Sequence, residues 1–124
     1  MLASSYRFHG YGSLRYVYKN GAVYRSRILH LKTTNNPRRK KSRVAVVVSK
    51  KVHRSAVGRN RIRRRVYEIV RSQLPSIVGV HDIVIIVVSS EVRTMEQGEI
   101  TATIEQCFRQ ANLYENTSKD GTIN

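Results

Sequence analysis

Residues 43–71, RVAVVVSKKVHRSAVGRNRIRRRVYEIVR, decide the fold. Val44 to Val48 form an unbroken apolar, mostly β-branched run, the pattern of a strand covered on both faces. Winding residues 56–74 at about 100° per residue separates them into two sides of a helix. Ile62, Val66, Ile69 and Val70 fall on one side. Asn60, Arg64, Tyr67 and Arg71 fall on the other, with Arg61 and Arg65 on one flank and Arg63 on the opposite flank. A merely solvated helix would interleave Glu four residues from Lys or Arg, but Glu68 is the one acid in this segment. The repulsion along the arginine face calls for an external anion. Arginine is permanently charged, and its planar fork of donors matches the oxygens of a phosphate, so the expected partner is nucleic acid.

Downstream, Ile83 to Val88 form a second apolar run. A strand, a helix and a strand in this order make a crossover joining parallel neighbours, and such crossovers are right-handed in about 98% of cases. Upstream, residues 1–12 look unstructured, with Gly10 and Gly12 as breakers. Ser13 caps a short helix to Asn20, with Gly21 as its stop and Leu14, Val17 and Tyr18 on one face. Residues 22–33 read as extended, Leu29 and Leu31 alternating against Ile28, His30 and Lys32. A turn at Asn35, Asn36 and Pro37 leads into the basic loop Arg38 to Lys41. Asp82 reads as the cap of a strand. Thr94 and Gln97 stand at capping-box spacing, and the helix they open carries Ile100, Ile104, Cys107, Phe108 and Ala111 on one side. The fold class is α+β: a single α/β sandwich in the order αβββαβα with a small mixed sheet. One domain spans 1–124, with flexible ends near 1–12 and 114–124.

The chain has 124 residues, 40% of them hydrophobic, and a formal net charge of +15. That balance describes a folded domain whose surface attracts polyanions. An anionic membrane fits less well, because an interfacial helix needs large exposed apolar anchors and this helix offers β-branched residues suited to a sheet. No apolar run approaches bilayer length, and MLASSYRFHGYG lacks the apolar centre of a signal peptide. Cys107 is the single cysteine; it reads as a core residue, with no disulfide framework or thiolate site. The expected location is the cytoplasm.

No catalytic or metal-binding cluster emerges. The eight acidic residues are scattered, whereas metal-dependent nucleases gather carboxylates or histidines around their ions. His9, His30, His53 and His81 have no ligand spacing, although a pair of histidines acting as general acid and base stays open. GAVYRSR and GYGS lack the spacing of phosphate-cradling loops. Six of the nine aromatic residues, Tyr6, Phe8, Tyr11, Tyr16, Tyr18 and Tyr24, lie in the first 24 positions, interleaved with Arg7, Arg15, Lys19 and Arg25. Single-stranded nucleic acid is held by such mixtures, bases on rings and phosphates on cations; Tyr18 and Tyr24 equally suit a core with a wet hydroxyl.

The run RVAVVVSKKVHRSAVGRNRIRRRVYE, Arg43 to Glu68, resembles the signature of the bacterial ribonuclease P protein family, and Asp82-Ile83-Val84-Ile85 follows at the family's spacing. Arg7-Phe8 and Val17-Tyr18-Lys19 with Gly21 are similar to the family's start. The resemblance implies a left-handed crossover, contrary to the general rule, and a partner in the catalytic RNA of ribonuclease P. It implies RNA contacts at Lys50, Lys51, Arg54, Arg59, Asn60, Arg61, Arg63, Arg64 and Arg71. A cleft between the first helix and the sheet would take the single-stranded 5′ leader of precursor tRNA, at Leu14, Tyr18, His30 and Lys32. Mg2+ would be held mainly by the RNA. Six residues depart from the family pattern: His53 replaces a glycine, Tyr67 an arginine and Leu14 an aromatic residue, Arg65 stands at a usually apolar position, and His30 with Lys32 stand where another aromatic is usual. Two other readings remain: a ribosomal or chaperone-like RNA binder, and a protein-only nuclease working through histidines.

Overall fold

Arg43 begins one strand and Asp82 lies near the start of another, and the two are direct partners in a parallel ladder. In the computed structural model, which describes residues 11–36 and 40–114 (side chains of 11–13 excepted), the order is α1 (Tyr11–Asn20), β1 (Ala22–Arg25), β2 (Leu29–Asn35), β3 (Arg43–Val48), α2 (Ala56–Gln73), β4 (His81–Val87) and α3 (Gln97–Gln110). The four strands make one mixed sheet, β1-β2-β4-β3, antiparallel except for the β3–β4 pair. This is the expected αβββαβα order.

Alternation along the strands gives the sheet two unlike faces. Leu29, Leu31, Val44, Val46, Val48, Ile83, Ile85 and Val87 point to one side and join Ile62, Val66, Ile69 and Val70 of α2 and Ile100, Ile104 and Phe108 of α3 in a continuous core. The apolar side of α2 is thus buried as its periodicity requires. Cys107 is buried in the same core, and burial raises its thiol pKa, which keeps it protonated. On the other face α1 packs over β2 and β4, with Val17 and Val84 fully buried. Here the expectation of two covered faces fails for β3: Ala45 and Val47 are only half-buried, because α1 is a ten-residue helix and lies over the other two strands.

Several local expectations change. The first helix begins at Tyr11, two residues before Ser13, and residues 1–10 and 115–124 lie outside the described part, as do Pro37 to Arg39 of the turn and basic run. Its stop is as expected: the Gly21 N–H donates to Val17 O at 2.8 Å, and a Cβ on Gly21 would stand 2.6 Å from that oxygen. Ile28, assigned to the polar side of the extended segment, is buried. It belongs to a turn ahead of β2, where Ser26 exchanges hydrogen bonds with Leu29, so strand alternation does not reach it. The capping box of Thr94 and Gln97 does not form. Thr94 closes a 3-10 turn at Ser90–Arg93, α3 starts after Glu96 with no side-chain cap, and the Gln97 side chain is held by Arg65 instead.

Asp82 does more than cap a strand. Its Oδ1 accepts from Arg43 Nε at 2.9 Å and its Oδ2 from Arg43 NH2 at 2.7 Å, while Asn36 Nδ2 donates to Oδ2 at 2.9 Å. Both charged side chains are almost wholly shielded from solvent. Removing one partner of such a pair strands the other charge in the interior, typically at about 3–5 kcal/mol. Asp82→Ala is therefore expected to lower unfolding free energy by about that amount in denaturant titrations.

Candidate nucleic-acid interface

Ser49 follows β3, and its carbonyl accepts backbone bonds from Val52 and His53, forming a tight turn that presents Lys50 and Lys51 to solvent. Helix α2 then starts at Ser55, whose hydroxyl accepts from Gly58 N at 3.2 Å. The His53 ring fills the space above Gly58: a Cβ there would stand 2.1 Å from the ring. His53 Nδ1 accepts from Ser55 N at 3.2 Å. Among the described non-glycine residues only Asn112 has a positive φ, so a histidine in place of the family's glycine is accommodated without strain, by packing on the helix's own glycine.

The arginines of α2 divide into two kinds. Arg59 is half-buried, and its NH1 donates to His53 O at 3.0 Å and Arg54 O at 2.7 Å, tying the preceding loop to the helix. Arg65 is bound more completely. It donates from NH1 to Val92 O (2.7 Å) and Arg93 O (3.2 Å), from NH2 to Met95 O (2.5 Å), and from Nε and NH2 to Gln97 Oε1 (3.3 and 3.1 Å). That uses all the directions of its fork, so the departure at this position clamps the loop ahead of α3 onto α2.

Arg61 and Arg64 are exposed, Arg63 is half-exposed, and none of the three has an ion-pair or hydrogen-bond partner among the described residues. Asn60 and Arg54 are exposed beside them. Arg71 is exposed too but shares its charge with Glu68 at 2.7 Å; the guanidinium's hydrogen bond and charge hold the Glu68 carboxyl below its ordinary pKa. Tyr67, placed on the outer side by helical winding, is in fact buried. Its ring turns toward β3, where its hydroxyl accepts from Val46 N in a long 3.4 Å contact. Arg61, Arg64 and Arg65 line a depression of about 460 Å³ together with Arg93 and Thr94 of the clamped loop. Arg93 escaped sequence reading because it is one basic residue in a turn, 29 positions after Arg64, and no local pattern links the two.

The second candidate surface is the face of the sheet that carries α1. Leu14 is half-buried, Tyr18 about 36% exposed, and His30 and Lys32 half-buried on β2. Ile86, Ala45 and Val47 share this face of the sheet and are half-buried, an apolar strip beside α1. Lys32 Nζ donates to Tyr18 O at 3.0 Å and lies 4.9 Å from the centre of the Tyr18 ring. One face of that ring is therefore occupied by a cation. Partial burial raises the Tyr18 pKa. Tyr16 is exposed on the outer side of α1, Tyr24 packs against the core, and Tyr6 and Phe8 lie outside the described residues.

Of the other acids, Glu91 pairs with Arg27, whose hydrogen bond lowers its pKa, and Glu105 accepts from Gln73 and lies 3.9 Å from Arg109. Among the described residues no three His, Cys, Asp or Glu side chains are grouped to hold a metal ion, and no helix is long and apolar enough to cross a membrane.

A family model described as ribonuclease P matches residues 2–112. A ribonuclease P protein component from a Roseiflexus species is 34% identical over 109 residues, 88% of each chain. Two solved structures of the Staphylococcus aureus ribonuclease P protein are similar in fold. One has a TM-score of 0.77 at 26% identity and covers 89% of this chain and 98% of that one. The other, a mutant described as defective in mRNA degradation activity, has a TM-score of 0.78 at 26% identity over 89% and 91% of the two chains.

The contrast between the bound and the free arginines can be measured. Arg65→Ala leaves three backbone carbonyls without their charged donor and is expected to cost about 1–3 kcal/mol of stability. Arg64→Ala is expected to leave stability within about 0.5 kcal/mol while flattening the salt dependence of RNA binding by roughly one contact. Thermal unfolding and binding titrations on the two variants check this together.

Proposed function

The chain belongs to the ribonuclease P protein family, and from that premise we propose how it serves the removal of 5′ leaders from precursor tRNA. It acts as a single RNA-binding domain in the cytoplasm, assisting the catalytic RNA of ribonuclease P. The observation that carries this reading is the group of arginines without acidic partners, exposed Arg61 and Arg64 and half-exposed Arg63, on a helix whose other side is locked into the core. A rigid base keeps the guanidinium forks at fixed separations, so folded RNA presenting phosphates at matching positions is bound in one orientation. Lys50, Lys51, Arg54 and Asn60 extend the contact at the start of the helix. Arg59 and Arg71 contribute charge, their geometry being partly committed within the protein.

The strip beside α1 takes the leader. Its apolar floor suits bases and its rim supplies Tyr18, His30, Lys32 and Leu14. With the Lys32 ammonium already over the Tyr18 ring, the grip on the leader rests on a phosphate at Lys32 more than on stacking. Four of the carboxylates, Asp82, Glu68, Glu91 and Glu105, are engaged by cationic or amide groups, and among the described residues no three His, Cys, Asp or Glu side chains are grouped to hold the ion. Mg2+ is held mainly by the RNA, and the chain's part in cleavage is to bind and position.

Reconstitution tests this assignment. RNA-free protein is expected to leave precursor tRNA intact, and addition of the protein to the catalytic RNA is expected to increase 5′ cleavage at low Mg2+; specific 5′ maturation by the protein alone would sink the cofactor reading. The S. aureus mutant described as defective in mRNA degradation favours a second activity, RNA breakdown by the protein itself, and an mRNA substrate in the same RNA-free assay decides it. In the cleft, Lys32→Ala should weaken holoenzyme binding of precursor tRNA but not mature tRNA, and should lower the salt slope of that difference by about 0.7, the value for one contact to a single strand. Equal losses for both substrates would place the leader elsewhere.

A further inference from the structure

We propose that the depression between α2 and the Ser90–Arg93 turn is a cradle for one phosphodiester of the RNA backbone. Arg61 and Arg64 grip it from the helix, Arg93 from the turn, and the Thr94 hydroxyl adds a hydrogen bond. The inference rests on the reading that α2 faces RNA and extends it to a second element of the fold.

Three observations converge on the cradle. Arg61, Arg64, Arg65, Arg93 and Thr94 line one concavity of about 460 Å³, ample for a phosphate and its flanking sugars. Its cations are not neutralised locally. The acid nearest in sequence to Arg93, Glu91, is taken by Arg27 and Ser89, and the guanidinium groups of Arg61, Arg64 and Arg93 have no ion-pair or hydrogen-bond partner among the described residues. Four guanidinium groups around one hollow repel each other, and an anion between them relieves the repulsion.

The third observation is the construction of the wall. The loop carrying Arg93 and Thr94 is fixed to α2 by Arg65, through the carbonyls of Val92, Arg93 and Met95 and the side chain of Gln97. Arg65 is thus a positioning residue. Its donors are saturated by the protein, so it contributes charge beneath the hollow and holds the backbone of Arg93, while the Arg93 side chain stays free for a ligand. An ordered wall of this kind binds a fixed phosphate with less loss of freedom than a mobile surface arginine would.

The test uses the full-length chain and the ribonuclease P RNA of the same organism, with affinity measured across a salt series. Arg93→Ala is expected to weaken binding and flatten the log–log slope by about 0.7 to 0.9. Arg93→Lys, which keeps the charge, should restore most of the slope. Arg109→Ala removes the same charge from the far end of α3 and should leave the slope unchanged. Because Arg64 and Arg93 grip one phosphate, the double substitution is expected to lose less than the product of the two single losses. If Arg93→Ala matches Arg109→Ala while Arg64→Ala still flattens the slope, the cradle is overturned and the RNA-binding helix stands. Fully multiplicative losses would also overturn it, since they indicate separate phosphates. If Arg64→Ala and Arg93→Ala both match the control, the assignment of α2 to RNA falls together with the cradle.

Discussion

The bidentate pair between Arg43 and Asp82 is the constraint on which the rest of the molecule depends. β3 and β4 are rich in valine and isoleucine on both faces, so apolar patterning alone distinguishes poorly between one register and its neighbour. A slip by one residue would exchange Val44, Val46 and Val48 for Ala45 and Val47 on the helical side. Two charges that must meet in the interior make such a slip costly, and Asn36, at the end of β2, joins the same carboxylate. One acidic side chain thereby aligns three strands. The position of α2 follows, because its loop leaves from β3 and its chain returns to β4 through a short 3-10 turn at Leu74–Ser76.

Much of this architecture could be read in the amino-acid order because it depends on local periodicity. The apolar side of α2, the run Ile83 to Val88, which the strand follows as far as Val87, the stop at Gly21 and the inward side of α3 are all set within one or two turns or a single strand. What could not be read depends on partners far away in the chain. Asp82 looked like a strand cap because Arg43 is 39 positions distant. Gln97 looked like a helix cap because its true donor, Arg65, lies 32 positions upstream. Tyr67 fell on the polar side of the helical wheel, yet a large ring at the border of two sides turns toward whichever surface covers it, and β3 is within reach.

The same limit applies to the candidate interface. Seven residues from Arg59 to Arg65 include five arginines and one asparagine, a composition suited to phosphates that does not distinguish among them. The division is made by carbonyl groups. Where loops around α2 present oxygens, as at 53–54 and 92–95, an arginine turns inward and becomes part of the scaffold; where none are offered, it remains available. Residue type thus sets the capacity to bind phosphate, and tertiary neighbours decide which side chains retain it.

The placing of β3 at the border of the sheet has a consequence for how copies of the chain treat one another. A border strand carries unpaired amides that invite another strand, the usual route to self-association. β1, the opposite border, has only four residues. β3 has six, and its Val46 amide faces the Tyr67 hydroxyl. Lys40 and Lys41 precede it and Lys50 and Lys51 follow it, so a second β3 laid alongside would bring lysines against lysines in either direction. Cations that draw in a polyanion therefore also keep the chains dispersed before one arrives. This protection has a range of about 10 Å at 0.1 M salt and only about 3 Å at 1 M, which makes colloidal stability of the free protein a function of ionic strength.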